Sequence, residues 1–218
     1  MSIKEAIKSI DFFSSLNEEQ ITLLSSFSTL NSFSENYIVH YEKKESENIL
    51  FLNSGLAKAY KIDKHDNDIF LYYIYENSLL SEISDISNRN LFSFSNIETV
   101  EDSTLLSINY KEFRAHFLNQ NILCLEFANE VIKRSGQLQT LVNREFIFDS
   151  VAKVAMSISS DLDMFNKLKR HDISLMLHIQ PATLSRVLTR LKRNKIIDIM
   201  HGTVSILDKV ALKAIFEE

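Results

Sequence analysis

Hydrophobic and polar positions follow three different rhythms along this chain. Residues 1–30 read as short amphipathic helices, one of them opening at Asn17 with Gln20 at the third helical position, the reciprocal arrangement of a capping box. Between residues 33 and 110 the period shortens to that of strands. Residues 48–54 and 56–62 form two apolar runs around a turn at Asn53-Ser54-Gly55 and are expected to pair as a hairpin. The polar turn His65-Asp66-Asn67-Asp68 leads into the aromatic strand 69–75, and residues 97–100 and 104–108 make a further pair broken at Glu101-Asp102. Many short strands joined by polar turns predict a β-roll, or jelly roll.

From Asn119 the texture turns helical. Ile122, Leu125, Phe127, Ala128, Val131, Ile132, Leu138, Leu141 and Val142 recur at three- and four-residue spacings, with Glu126, Glu130, Lys133 and Arg134 between them. A helix apolar on more than one side must bury a second stripe somewhere. A second copy of itself is the economical partner, and Leu125, Ala128, Val131, Ile132, Leu138 and Leu141 are the expected seam. The alternative is a helix packed only within one chain. Another amphipathic helix follows over residues 146–160, with Val151, Val154, Ala155 and Ile158 on its inner face.

The C-terminal part reads as a helix-turn-helix with a wing. Residues 173–178 form a short helix with Asp172 as the expected N-cap, and Ile179-Gln180 is the turn. Pro181, the one proline, falls in the first turn of the next helix, where its missing N–H costs nothing. That helix, residues 182–193, turns Leu184, Val187, Leu188 and Leu191 inward and leaves Thr183, Ser185, Arg186, Thr189 and Arg190 outside. Two strands around His201-Gly202 close the unit.

Charge sharpens this division. The chain as a whole carries −5, but residues 1–118 hold 10 Lys and Arg against 18 Asp and Glu, a net of −8. Residues 167–195 hold eight basic residues against Asp172 alone, a net of +7. An acidic module joined to a basic one points to a polyanion partner, double-stranded DNA, although a solvated basic helix face would give the same count. Lys169, Arg170, Gln180, Pro181, Thr183, Ser185, Arg186, Thr189 and Arg190 are the candidate contacts. Arg186 offers a two-pronged donor to guanine, and the hydroxyls reach phosphates or base edges.

Composition removes other classes. With three glycines in 218 residues there is no glycine-rich phosphate loop. A single Cys124 rules out an internal disulfide framework or a cysteine-ligated cluster, and on an apolar helix face it is expected to be a packing residue. No apolar run reaches membrane-spanning length, and the first 15 residues lack a signal-peptide core, so a cytoplasmic location without membrane contact is expected. His40, Glu42, Glu82 and Asp85 have no catalytic spacing, and no enzyme activity or metal site is assigned.

These residues together resemble the Crp/Fnr family of bacterial regulators over nearly the whole length. The family's recognition-helix pattern, Glu-Thr-hydrophobic-Ser/Gly-Arg, is met by Ala182-Thr183-Leu184-Ser185-Arg186. Phe51-Leu52-Asn53-Ser54-Gly55 resembles a strand-turn of its β-roll, and residues 97–113 its last strands and following helix. The resemblance implies an α+β chain: a cyclic-nucleotide-binding-like β-roll sensor over 1–118, a dimerisation helix over 119–145 and a winged helix-turn-helix over 146–218. It further implies a homodimer reading a palindromic site, with RNA polymerase as a candidate partner.

The sequence departs from the family in two places. Its half-site-reading glutamate is Ala182 here. Its Gly-Glu pair and its phosphate-binding Arg-Ser fall at Ser81-Glu82 and Ser93-Phe94, and the nearest cation, Arg89, is misplaced, which argues against cyclic AMP. Glu82, Tyr72, Tyr73 and Phe94 remain as candidate effector-pocket residues. Haem sensing of nitric oxide or redox state is the alternative, with His40 or His116 as iron ligand and Phe51, Tyr72, Tyr73, Phe92 and Phe94 as lining; the same residues also read as core aromatics and surface histidines. His171, His178 and His201 are expected at phosphates or turns. A second alternative is a small-ligand-binding β-roll with a protein-interaction appendage.

Overall fold

The computed structural model describes residues 1–217 apart from 84, 85 and 87–89; Arg89 and Asp85 thus lie outside the described residues. The chain divides into two compact units, Met1–Gln137 and Leu138–Glu218, with the boundary inside one long helix.

The first unit opens with α1 (Ile3–Ser9) and α2 (Glu18–Ser26), both started by capping boxes, the second through Asn17 and Gln20 as expected. Ten strands follow among the described residues: β1 (Ser28–Phe33), β2 (Ile38–His40), β3 (Glu45–Ser46), β4 (Asn48–Ser54), β5 (Leu56–Ile62), β6 (Asp68–Tyr75), β7 (Ser78–Leu79), β8 (Leu91–Phe92), β9 (Asn96–Thr99) and β10 (Ser103–Asn109). They pair antiparallel in two four-stranded sheets, ordered β1-β10-β4-β7 and β2-β9-β5-β6, plus the short pair β3-β8. Strand β4 is buried on both faces. Ile49 and Phe51 join a core with α1, Phe12 and Phe13, whereas Leu50 and Leu52 pack with Ala57, Ile74 and Ile97 of the other sheet.

The expected hairpin of residues 48–54 with 56–62 is not formed. β4 pairs with β10 and β7, and β5 with β6 and β9, so Gly55 marks a corner where the chain leaves one sheet for the other. Its backbone has φ +100°, and a Cβ there would lie 2.3 Å from Ser103 Oγ and 2.8 Å from the Asp102 carbonyl. Only glycine fits such a crossing. The strands on either side of Glu101-Asp102 behave likewise, β9 in one sheet and β10 in the other. By contrast, β5 and β6 do form a hairpin across the His65–Asp68 turn.

After α3 (Tyr110–His116) the long helix α4 runs Cys124–Phe146. It begins five residues later than the helical texture at Asn119, because Asn121 and Leu123 both take left-handed backbone (φ 59° and 62°), which no α-helix continues through. Cys124, its first residue, is exposed rather than packed. Along α4, Leu125, Ala128, Val131, Ile132, Leu138, Val142 and Phe146 are exposed, and Leu141 is half-buried.

The second unit adds α5 (Ser150–Ser160), α6 (Leu162–Lys167), α7 (Arg170–Met176), α8 (Pro181–Arg193), the strands β11 (Ile197–Met200) and β12 (Thr203–Ile206), and α9 (Lys209–Ala214). Val154, Ala155, Ile158, Phe165, Ile173, Leu177, Leu184, Leu188, Leu191, Ile197, Val204 and Leu212 form its core. α7 starts at Arg170, not after Asp172. Lys169 holds the N-cap position without a side-chain bond, and Asp172 sits in the first turn, where its charge favours the helix dipole.

Candidate nucleic-acid interface

α7 and α8 are joined by a tight turn through His178, whose backbone is left-handed (φ 49°). Pro181 is the first residue of α8 and Gln180 its N-cap, with no side chain capping the helix start. Pro181 has no N–H, so the N–H groups of Ala182 and Thr183, at the positive end of the helix dipole, are left for an outside acceptor. Leu184, Val187, Leu188 and Leu191 are buried, which turns Pro181, Ala182, Ser185, Arg186, Thr189 and Arg190 to the surface. Thr183 is half-buried, and the Thr189 hydroxyl donates back to the Ser185 carbonyl (2.9 Å). Ser185 and Arg186 therefore stand at the exposed N-terminal end of this helix.

The wing is a two-residue hairpin. Met200 pairs with Thr203, and His201 and Gly202 both have positive φ (51° and 88°), the signature of a turn whose twist matches that of the strands. Lys192 ties α8 to it, pairing with Asp198 at 2.9 Å and donating to the Ile199 carbonyl at 2.9 Å. Arg170, a candidate contact, is engaged in the same way. One of its Nη atoms donates to the Gly202 carbonyl (2.8 Å), and the guanidinium lies over the Phe165 ring (5.6 Å). Lys169 beside it is exposed. Arg190, although exposed, lines a groove with Phe148, Asn194 and Phe216 behind the helix.

Sequence reasoning missed a partly buried charge cluster in this unit. The Glu145 carboxylate meets Arg144 Nε at 2.9 Å, His178 Nδ1 at 2.9 Å and Lys153 Nζ at 3.6 Å. Lys153 and His178 lie 8 and 33 positions from Glu145, and no local pattern reports such a meeting.

In the β-roll, three of the four candidate pocket residues come together. Tyr72 donates to Glu82 (3.2 Å), and burial raises its pKa to about 12. Tyr73, its neighbour on β6, falls on the opposite face by strand alternation and packs at a tilt against Phe70 (4.7 Å), so it does not join them. Phe94 reaches Glu82 through its backbone N–H, while its ring is exposed and packs on Phe92 (5.3 Å). Phe51 packs at a tilt against Phe12 and Phe13 in the helical core instead of lining a pocket with Tyr72. His116 pairs with Glu112 (3.5 Å) and stacks on Phe27, whereas His40 is buried, and burial lowers its pKa. His40 lies close enough to Glu82 to feel its charge, whereas His116 stands apart with Glu112 and Phe27. Among the described residues no group of three His, Cys, Asp or Glu could hold a metal ion, and no helix is long and apolar enough to cross a membrane.

No curated protein matches the chain. Residues 154–215 match the model of the Crp-like helix-turn-helix domain. Several solved structures share the fold. A CooA mutant from Carboxydothermus hydrogenoformans superposes with TM-score 0.74 at 16% identity, covering 98% of this chain and 95% of its own. FixK2 from Bradyrhizobium japonicum gives 0.68 at 12% identity, over 88% and 98%. A putative transcriptional regulator of the Crp/Fnr family from Eubacterium rectale gives 0.67 at 17% identity, over 97% and 100%. The chain therefore has the Crp/Fnr fold, and its residues 154–215 are a Crp-like helix-turn-helix domain.

Proposed function

We propose that this protein is a homodimeric transcription regulator that reads a palindromic DNA site with α8 and answers a signal received by the β-roll. The observation that carries the reading is the start of α8. An uncapped helix N-terminus presents Ser185 and Arg186 outward, beside a wing and on a scaffold matching a known DNA-binding domain. Lys169, Gln180, Pro181 and Thr183 complete the proposed contacts, with Arg186 as the base reader.

The dimer reading rests on α4. Leu125, Ala128, Val131, Ile132 and Leu138 of the expected seam are exposed in the single chain and Leu141 is half-buried, while Val142 and Phe146 extend the exposed apolar surface. A two-fold partner on that seam sets two α8 helices about one DNA turn apart. A cytoplasmic location and contact with RNA polymerase belong to the same proposal. The proposed boundaries are a sensor over 1–118, a dimer helix over 119–145 and a DNA-binding domain over 146–218.

The test is a mobility shift on fragments of the source genome at two salt concentrations. Binding that selects a fragment and weakens steeply with salt supports the reading; absent or salt-insensitive binding overturns it.

A further inference from the structure

The Glu82 side chain accepts four hydrogen bonds. One carboxylate oxygen takes the backbone N–H groups of Phe94 (2.6 Å) and Ser95 (3.0 Å). The other takes the Ser95 hydroxyl (2.9 Å) and the Tyr72 hydroxyl (3.2 Å). Two consecutive amides and two hydroxyls aimed at one point make a preorganised seat for an oxyanion.

We infer that the β-roll is self-liganded: the chain's own Glu82 carboxylate occupies the oxyanion seat built by Phe94, Ser95 and Tyr72, and a phosphate or carboxylate effector enters only where Glu82 is withdrawn. A tethered carboxylate competes at an effective concentration far above that of a free metabolite. A phosphate approaching the filled seat also meets a negative charge instead of donors. Among the described residues the hydrogen bonds to Glu82 come from amides and hydroxyls, and no Lys or Arg bonds it.

The seat is connected to α4. The Tyr72 ring that bonds Glu82 on its hydroxyl carries the Arg134 guanidinium over its face, 5.0 Å from the centroid. Arg134 in turn donates to the Leu79 carbonyl and to Gln137 (3.2 Å). Withdrawal of Glu82 thus frees Tyr72, which is one of the holds on Arg134.

The test uses the full-length protein and two probes, inorganic phosphate and 3′,5′-cyclic AMP, by calorimetry and by amide proton signals of Phe94 and Ser95. The wild type is expected to show no saturable binding of either probe at millimolar concentration, with both amide signals unmoved. Glu82→Ala is expected to move both signals and to bind phosphate at least about tenfold more tightly than the wild type. Saturable binding of either probe by the wild type with movement of those two amides overturns the inference, and this arm needs no variant to fold. A folded Glu82→Ala protein that binds no phosphate overturns it equally. The readout does not involve DNA, so it stands apart from the regulator reading.

Discussion

His178 Nδ1 lies 2.9 Å from Glu145 Oε2, which joins the turn before α8 to the last turn of α4. Around that contact stand Arg144 and Lys153, both with little exposed side chain. Burial by itself pushes the Glu145 carboxyl up. The hydrogen bonds from His178 and Arg144, with the charges of His178 and Lys153, outweigh it and hold the pKa below the usual carboxylate range. A depressed folded pKa contributes stability above the unfolded pKa, and that contribution is lost as pH falls through the folded one. Acid unfolding should therefore steepen below about pH 4.3 in the wild type, and Glu145→Gln should flatten that limb. At pH 7 Glu145→Ala should cost about 1–3 kcal/mol. That is less than for a fully buried pair, because 24% of the Glu145 side chain remains exposed. Denaturation followed from pH 3 to 8 measures both.

Arg170 holds the wing. Its bond to the Gly202 carbonyl and its stacking on Phe165 leave it a poor donor to a phosphate. Arg170→Ala should weaken binding on specific and unrelated DNA alike, with little change in the slope of log affinity against log salt. Lys169→Ala should reduce that slope by about 0.9, as loss of one phosphate contact does. A reduced slope for Arg170→Ala would show a direct contact instead.

Arg186 is exposed, and no bond to another residue of the chain occupies its guanidinium among the described residues. Arg186→Ala should cost about 1–3 kcal/mol on the preferred site and flatten preference at one base pair per half-site. Selection from a randomised pool reads this directly. Equal weakening on every sequence would make Arg186 a phosphate contact.

Legibility in the sequence followed the range of the interactions. α8 was readable because Leu184, Val187, Leu188 and Leu191 repeat within one helix and Pro181 marks its start. The strands β4 and β5 were readable as strands, but their partners were not. A turn of Asn53, Ser54 and Gly55 looks the same in a hairpin as at a sheet corner, and the difference is decided by Ser103 pressing on Gly55 from 48 positions away. The same holds for the site. Glu82 and Tyr72 could be nominated singly, but the amide of Ser95 and the reach of Arg134 from α4 are products of folding. Arg170 could be nominated from its charge alone, but its bond to the Gly202 carbonyl is likewise a product of folding.

Two glycines with positive φ test the corner directly. At Gly55 an added Cβ meets Ser103 Oγ and the Asp102 backbone carbonyl, whereas at Gly202 nothing lies within 4 Å. Gly202→Ala should thus carry only the backbone strain, about 1 kcal/mol, whereas Gly55→Ala adds a clash and should cost about 3 kcal/mol or more. Gly55→Ala with Ser103→Ala should remain destabilised, since the Asp102 carbonyl is backbone and cannot be trimmed. Thermal denaturation of the three variants gives the order; full rescue by the second substitution would place the whole clash on the Ser103 hydroxyl.

The dimer seam is tested by a charge placed where only a partner would feel it. Ile132 is 68% exposed in the single chain, so Ile132→Glu should leave the fold of one chain intact and cost it no more than a few tenths of a kcal/mol. In a coiled-coil seam the same carboxylate faces its own copy across the two-fold axis, where burial and like-charge repulsion together weaken the dimer by several kcal/mol. Sedimentation equilibrium should find monomers for Ile132→Glu and dimers for the wild type. DNA affinity should fall with the dimer, because one α8 then reads one half-site without its twin. Val210→Glu, at an equally exposed apolar residue on α9, controls for added charge and should change neither property. A dimer that survives Ile132→Glu would place the partner on another surface.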